Sequence, residues 1–165
     1  MIVPMMQMPS PNYNERPNGG IINSIIIHYT GMKTAQEALN RLCDAQAEVS
    51  AHYTIDEDGA VYNHVDPEKR AWHAGVSAWG ELKNFNDFSI GIELVNPGHE
   101  HGYRAFPDVQ IDALVMLMKD LYSQYPIDQK LVLGHSNIAP DRKQDPGELF
   151  PWDRLVNEDL AIRSL

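Results

Sequence analysis

Apolar positions along this 165-residue chain fall into short blocks whose period switches between two and 3.6. Residues 21–30 (IINSIIIHYT) are β-branched and almost continuously apolar, the pattern of a strand covered on both faces. Thr34-Ala35-Gln36-Glu37 has the form of a capping box and predicts a helix running to about Ala47. Two short strand-like runs, 52–56 and 60–65, flank Glu57-Asp58-Gly59, whose Asp-Gly pair signals a hairpin. Residues 88–95 (FSIGIELV) alternate, with apolar side chains at 88, 90, 92 and 94 and Glu93 on the other face, until Pro97-Gly98 ends the run. Between Asp108 and Tyr125 apolar residues recur at 111, 114, 115, 118, 121 and 122, the spacing of a helix closed by Pro126. Leu131 to Gly134 reads as another buried strand, and Pro151 fits the first position of a last helix containing Leu155 and Leu160. The order strand, helix, hairpin, strand, helix, strand predicts an α/β fold: a single domain with a central mixed β-sheet flanked by α-helices.

Ahead of this domain, residues 1–20 hold Pro4, Pro9, Pro11 and Pro17 among asparagines and glycines, which predicts an extended arm wrapped over the surface of the domain formed by 21–165. A chain of this length buries roughly two-thirds of its unfolded surface in one core, so no disulfide framework is required. The one cysteine, Cys43, sits in a helical pattern and reads as a small buried apolar residue. Lys and Arg total 13 against 23 Asp and Glu, a net charge of −10, which argues against nucleic acid or an anionic membrane surface as partner. No apolar run reaches the roughly 20 residues of a transmembrane helix. The first nine residues lack the basic start and apolar core of a signal peptide, which points to the cytoplasm. The sequence does not indicate an oligomeric state.

Chemistry gathers at strand ends. His28 closes the most hydrophobic segment, and His135 follows Leu131-Val132-Leu133 and opens a Pro- and Gly-broken loop that also carries Lys143 and Asp145. Two imidazoles and a carboxylate are a common ligand set for catalytic zinc, which keeps one position open. Bulk packing offers no reason to collect these polar groups, so together they point to a metal site although no single spacing is diagnostic. Glu93, projecting from a buried strand, is the candidate for proton transfer. His52 and His64 flank the hairpin and read as structural, and the Met116 and Met118 pair as core filling. His99-Glu100-His101 matches a metal tract in pattern, but its setting between Pro97-Gly98 and Gly102 predicts a loop rimming a groove.

Four ordered blocks, IIIHYT at 25–30, RAWHAGVSAW at 70–79, NDFSIGIEL at 86–94 and GHSNIAPDRKQDPGELFPW at 134–152, resemble the zinc-dependent N-acetylmuramoyl-L-alanine amidases, a family that includes bacterial recycling amidases, a phage lysozyme and the peptidoglycan recognition proteins. Within it the chain is most similar to the periplasmic AmiD-type branch, which makes the cell envelope the alternative compartment. The resemblance implies one Zn2+ per chain on His28, His135 and Asp145, with Glu93 and Lys143 as the catalytic pair. A phage enzyme has tyrosine ahead of the histidine aligned with His52; here Ala51 stands there, so Glu93 is expected to carry the proton chemistry. Zinc lowers the pKa of bound water to about 7, and Lys143 would neutralise a developing oxyanion.

The implied substrate is peptidoglycan or a muropeptide, cut between N-acetylmuramic acid and L-alanine. Tyr29, Trp72, His73 and Arg142 are expected to bind it, with a structural hydrogen bond as the alternative reading of His73, and Lys69 and Arg70, with Arg142 and Lys143, are candidates for a local cationic patch facing its carboxylates. Two other readings follow: a binding module of the same fold that does not cut, and a zinc hydrolase for an unrelated amide. An intact set of His28, His135, Asp145, Glu93 and Lys143 argues against the first.

Overall fold

The computed structural model describes residues 3–162. In chain order the strands and α-helices are β1 (Met6–Gln7), β2 (Tyr13–Glu15), β3 (Ser24–Tyr29), α1 (Ala35–Leu42), β4 (Tyr53–Ile55), β5 (Val61–Asn63), β6 (Lys69–Ala71), β7 (Ala78–Trp79), β8 (Leu82–Lys83), β9 (Ser89–Leu94), α2 (Asp108–Gln124), β10 (Val132–Gly134), α3 (His135–Ile138) and α4 (Trp152–Asn157). Six strands form the main sheet in the order β1-β5-β4-β9-β3-β10. Within this sheet, among the described residues, only β4 and β5, the two arms of the Asp-Gly hairpin, pair antiparallel; the other four pairings are parallel.

The sheet explains the near-continuous apolar character of β3. It lies between β9 and β10, and Ile25, Ile26 and Ile27 are fully buried. In-register pairing of Ser24 with Ser89 through Tyr29 with Leu94 puts matched residues of β3 and β9 on the same face. Ile25, Ile27, Ile90, Ile92 and Leu94 face the larger core, against Ile111, Leu114, Met118 and Leu121 of α2 and Leu155 of α4. Ile26 turns the other way, onto Ala74, Phe85, Leu133 and Ile138. Further along that second face, at the carboxyl ends of the parallel strands, come His28 and its register partner Glu93.

Several elements differ from the sequence expectation. Helix α1 is capped as expected, with Thr34 Oγ1 accepting from the Glu37 amide at 3.1 Å, but it ends at Leu42. Asp44 stops it by accepting from the Gln46 amide and so capping a separate 3-10 turn, Ala45–Ala47. Pro151 is the N-cap of α4 rather than its first residue, and the helix closes at Asn157; Leu160 packs into the core from the turn that follows. In α2, Met118 is fully buried but Met116 is 40% exposed, so only one of the pair fills the core. Gln110 is buried there too, donating to the carbonyls of Ile55 and Val95 at 3.0 Å each and tying α2 to β4 and the end of β9. Cys43 is half-buried at the end of α1, with Sγ 3.4 Å from the Met8 carbonyl.

The first twenty residues are extended, yet they do more than cover the surface. Strand β1 adds to the sheet edge beside β5, and β2 pairs with β6. Arg16 is buried and donates to the carbonyls of Pro67, Asn86 and Ser89, which ties the arm to the start of β9 and to the two turns that hold Pro67 and Asn86.

Candidate metal centre and active site

Three side chains from separate elements meet at the carboxyl end of the sheet. His28 is on β3, His135 begins α3 immediately after β10, and Asp145 lies in the following loop, whose carbonyl at Asp145 accepts from the Ser136 amide at 2.9 Å. His28 Nδ1 and His135 Nδ1 are 3.0 Å apart, and Asp145 Oδ2 is 3.1 Å from the first and 3.2 Å from the second. All three residues are buried.

This triangle suits a metal ion better than it suits hydrogen bonding. His135 Nε2 donates to the Ala74 carbonyl at 2.9 Å, which leaves a bare lone pair on its Nδ1 in the neutral ring. A proton-free nitrogen, a second imidazole and a carboxylate oxygen in mutual contact are a concentration of acceptors. Ligands about 2.0–2.2 Å from a tetrahedral zinc stand roughly 3.3–3.6 Å from one another, so edges of this size need little adjustment. The charge states agree with that use. Burial, and then His135, pull the His28 imidazole down to about 4, so it is neutral at pH 7. Burial alone would raise the Asp145 carboxyl, but the imidazoles of His135 and His28 outweigh it and hold the group below the usual carboxylate range. A neutral His28 imidazole and an ionised Asp145 carboxylate are the forms in which such side chains bind zinc.

Glu93 stands beside this group, its Oε1 3.9 Å from His28 Nδ1, because β3 and β9 pair those residues directly. Its Oε2 is buried and has no hydrogen-bond partner. Burial, then the Asp145 charge, push its carboxyl well above the ordinary value, which suits a group that takes up and returns a proton. The floor of a cavity of about 350 Å³ is formed here, with Tyr29, Trp72, Arg142 and Lys143 among the residues around it. Lys143 is exposed at the cavity wall, carried there by a turn in which its amide donates to the Ala139 carbonyl.

The other expected binding residues divide. Tyr29 lines the cavity with its hydroxyl donating to His99 Nδ1 at 2.9 Å, and His99 in turn reaches Glu148 and stacks on Tyr103 at 4.2 Å. The 99–101 loop therefore rims the cavity and is joined to the loop that carries Asp145. Arg142 is at the rim, donating to the carbonyls of Ala74 and Val76. Lys69 and Arg70 are not part of a cationic patch: they pair with Glu15 and Asp87 and do not line the cavity. Arg41 of α1 does line it, and the sequence pattern gave no sign of that because helix α1 was not assigned to the groove.

His73 also lines the cavity but is largely buried: it is 9% exposed, and its ring bridges His28 Nε2 and Ser89 Oγ. Burial, then the neighbouring imidazole of His28, hold its pKa well below the ordinary value. His52 and His64 are structural: His52 Nδ1 accepts from the Gly91 amide and His64 bridges Thr54 to the Met8 carbonyl.

Residues 18–148 match the family described as N-acetylmuramoyl-L-alanine amidase. The chain is 39% identical over 152 residues to the N-acetylmuramoyl-L-alanine amidase AmiD of Escherichia coli, a match covering 85% of this chain and 54% of that protein. It is 36% identical over 171 residues to the 1,6-anhydro-N-acetylmuramyl-L-alanine amidase AmpD of Escherichia coli, covering 93% and 91%. It thus spans about half of the first relative and most of the second. Among solved structures, a selenomethionine AmpD derivative superposes with a TM-score of 0.84 at 32% identity over 96% of both chains. The complex of AmiD with the substrate anhydro-N-acetylmuramic acid-L-Ala-D-γ-Glu-L-Lys gives 0.78 at 37% identity, over 86% of this chain and 58% of that one.

Proposed function

The chain belongs to the N-acetylmuramoyl-L-alanine amidase family, and from that premise we propose that it is a zinc hydrolase cutting the bond between N-acetylmuramic acid and L-alanine in peptidoglycan or its muropeptides. The observation that carries the zinc reading is the triangle of His28 Nδ1, His135 Nδ1 and Asp145 Oδ2, with edges of 3.0–3.2 Å, on the floor of the cavity beside Glu93. The muramyl peptide in the AmiD complex supports the substrate class. No helix among the described residues is long and apolar enough to cross a membrane.

When bound by these three residues, one zinc ion per chain would supply Lewis-acid polarisation and a water whose pKa falls to about 7. Glu93 is the proton carrier. Its buried, unpaired oxygen can accept a proton from the attacking water and return it to the departing alanine nitrogen. Without that second transfer the amine would leave as an anion. Lys143 supplies positive charge at the cavity wall and stabilises the oxyanion as the carbonyl is attacked. Tyr29, Trp72 and Arg142 border the same space and are assigned to the sugar and stem peptide. Arg41 joins them as a cation available to a stem carboxylate, a local charge that offsets the −10 of the whole chain.

The test uses purified protein, a defined muropeptide and mass spectrometry of the products. The parent should release the stem peptide with a free L-alanine amine, and Glu93→Ala should keep about one zinc per chain while losing turnover; His135→Ala should lose both. Turnover that survives removal of all zinc by a chelator would overturn the proposal.

A further inference from the structure

The His28 ring has one nitrogen in the triangle and the other at the head of a hydrogen-bond chain that runs back into the core. Its Nε2 is 2.9 Å from His73 Nδ1, and His73 Nε2 is 3.1 Å from Ser89 Oγ. The Ser89 hydroxyl ends the chain on the Phe85 carbonyl. That far end sets the direction. A carbonyl cannot donate, so the single Ser89 proton goes to Phe85 and Oγ is left to accept. The neutral His73 ring therefore holds its proton on Nε2 and offers a bare Nδ1, and His28 must donate from Nε2. What His28 then presents at Nδ1 is a lone pair, aimed at His135 Nδ1 and Asp145 Oδ2.

The rest of the structure holds this chain in place. Gly91, in the middle of β9, leaves room for the ring: a Cβ there would lie 2.4–2.6 Å from three atoms of the His73 imidazole, closer than any real contact. Asn86 Oδ1 accepts from the amides of His73 and Ala74 at 3.1 and 2.8 Å, fixing the backbone that carries the ring. The Ser89 carbonyl accepts from Arg16 at 2.9 Å.

We propose that His73 is a positioning residue, acting through Ser89 and the Phe85 carbonyl to fix the tautomer and ring orientation of His28, so that the site offers proton-free ligand atoms. The proposal rests on the zinc reading above. Outer partners of this kind typically contribute 10- to 100-fold to metal affinity, and here the partner of the ligand histidine is itself a histidine whose polarity is dictated two residues further on.

The experiment measures zinc affinity by competition with a chromophoric chelator and assigns the His73 tautomer in the zinc-loaded protein by long-range proton–nitrogen NMR. In the parent the His73 proton should appear on Nε2. His73→Leu should weaken zinc about 10- to 100-fold, and His73→Asn, whose Oδ1 can accept from His28, should recover most of that loss. Ser89→Ala, which leaves both rings in place, should weaken zinc less than His73→Leu and allow the His73 proton to move to Nδ1. Parent-like affinity in Ser89→Ala and His73→Leu would overturn the proposal, and so would a parent His73 protonated on Nδ1. A parent that binds no zinc at all would instead defeat the underlying metal reading.

Discussion

Replacing Glu93 by glutamine separates its chemical use from its structural cost. Glutamine fills the same volume between His28 and Thr54, its neighbours across β3 and β9 and across β4, but cannot take up a proton. Loss of a positioned general acid and base typically costs 10²- to 10⁴-fold in rate, about 3 to 5 kcal/mol of barrier. Stability should move the opposite way. In the parent, Glu93 Oε2 is buried with no partner, and an unpaired buried polar atom costs about 1–3 kcal/mol, more when it carries charge. A neutral amide lowers that penalty, so Glu93→Gln should melt no lower than the parent and as much as several degrees higher, at roughly 2–4 °C per kcal/mol for a chain of this size. The assays are muropeptide turnover at saturating substrate, zinc content by elemental analysis and thermal melting. The expected combination is near-normal zinc, turnover down at least about 100-fold, and a midpoint equal to or above the parent's. Turnover within tenfold of the parent would refute the proton-carrier role, and a lower midpoint would refute the reasoning from burial.

Asp145→Asn exchanges an anionic ligand for a neutral one and should weaken zinc by more than the roughly 100-fold upper range typical of outer partners, read by chelator competition. His52 makes stability depend on pH. Burial, and then the nearby Arg16 guanidinium, lower its pKa to about 3, and its other contacts are the Gly91 amide and the Lys69 carbonyl. Because the folded pKa lies below the unfolded value of about 6.5, the unfolded chain binds the extra proton first, so stability is full above about pH 6.5 and falls as pH drops toward 3. Between pH 7.5 and 5 the loss is about 2 kcal/mol, and urea titrations should show His52→Gln less pH-sensitive than the parent by that amount; equal slopes would show that the ring is not held neutral. Gln110→Leu removes the donor shared by the Ile55 and Val95 carbonyls and should lower unfolding free energy by about 2 kcal/mol or more, measured the same way.

The parts legible in the sequence were those written in local pattern. The β-branched block at 21–30 and the alternation at 88–94 gave the two central strands, and two histidines at strand ends with an aspartate in a broken loop gave the buried group of His28, His135 and Asp145 that could hold a metal ion. Alternation also put Glu93 on the face opposite the apolar core, although its pairing with His28 depends on a parallel register that no local signal specifies. The hydrogen-bond partners of His73 were illegible for the same reason. Its partners are 45 residues upstream in His28 and 16 downstream in Ser89, and the one local hint was Gly91, a glycine interrupting a strand of isoleucines. Lys69 and Arg70 looked available because charge runs reveal nothing about which acids lie opposite; β2 brings Glu15 to Lys69, and Asp87 takes Arg70. Pattern also missed the arm's contribution, since prolines predict extension but not that Arg16 is buried under three carbonyls.

Anomalous X-ray diffraction at the zinc edge, from crystals of the zinc-loaded protein, tests the metal site most directly. The expected result is one strong peak per chain about 2.0–2.2 Å from His28 Nδ1, His135 Nδ1 and Asp145 Oδ2, with Glu93 beside it and not bound to it. A peak at another cluster, such as His99 and Glu148, with those three side chains turned away from one another, would contradict the account.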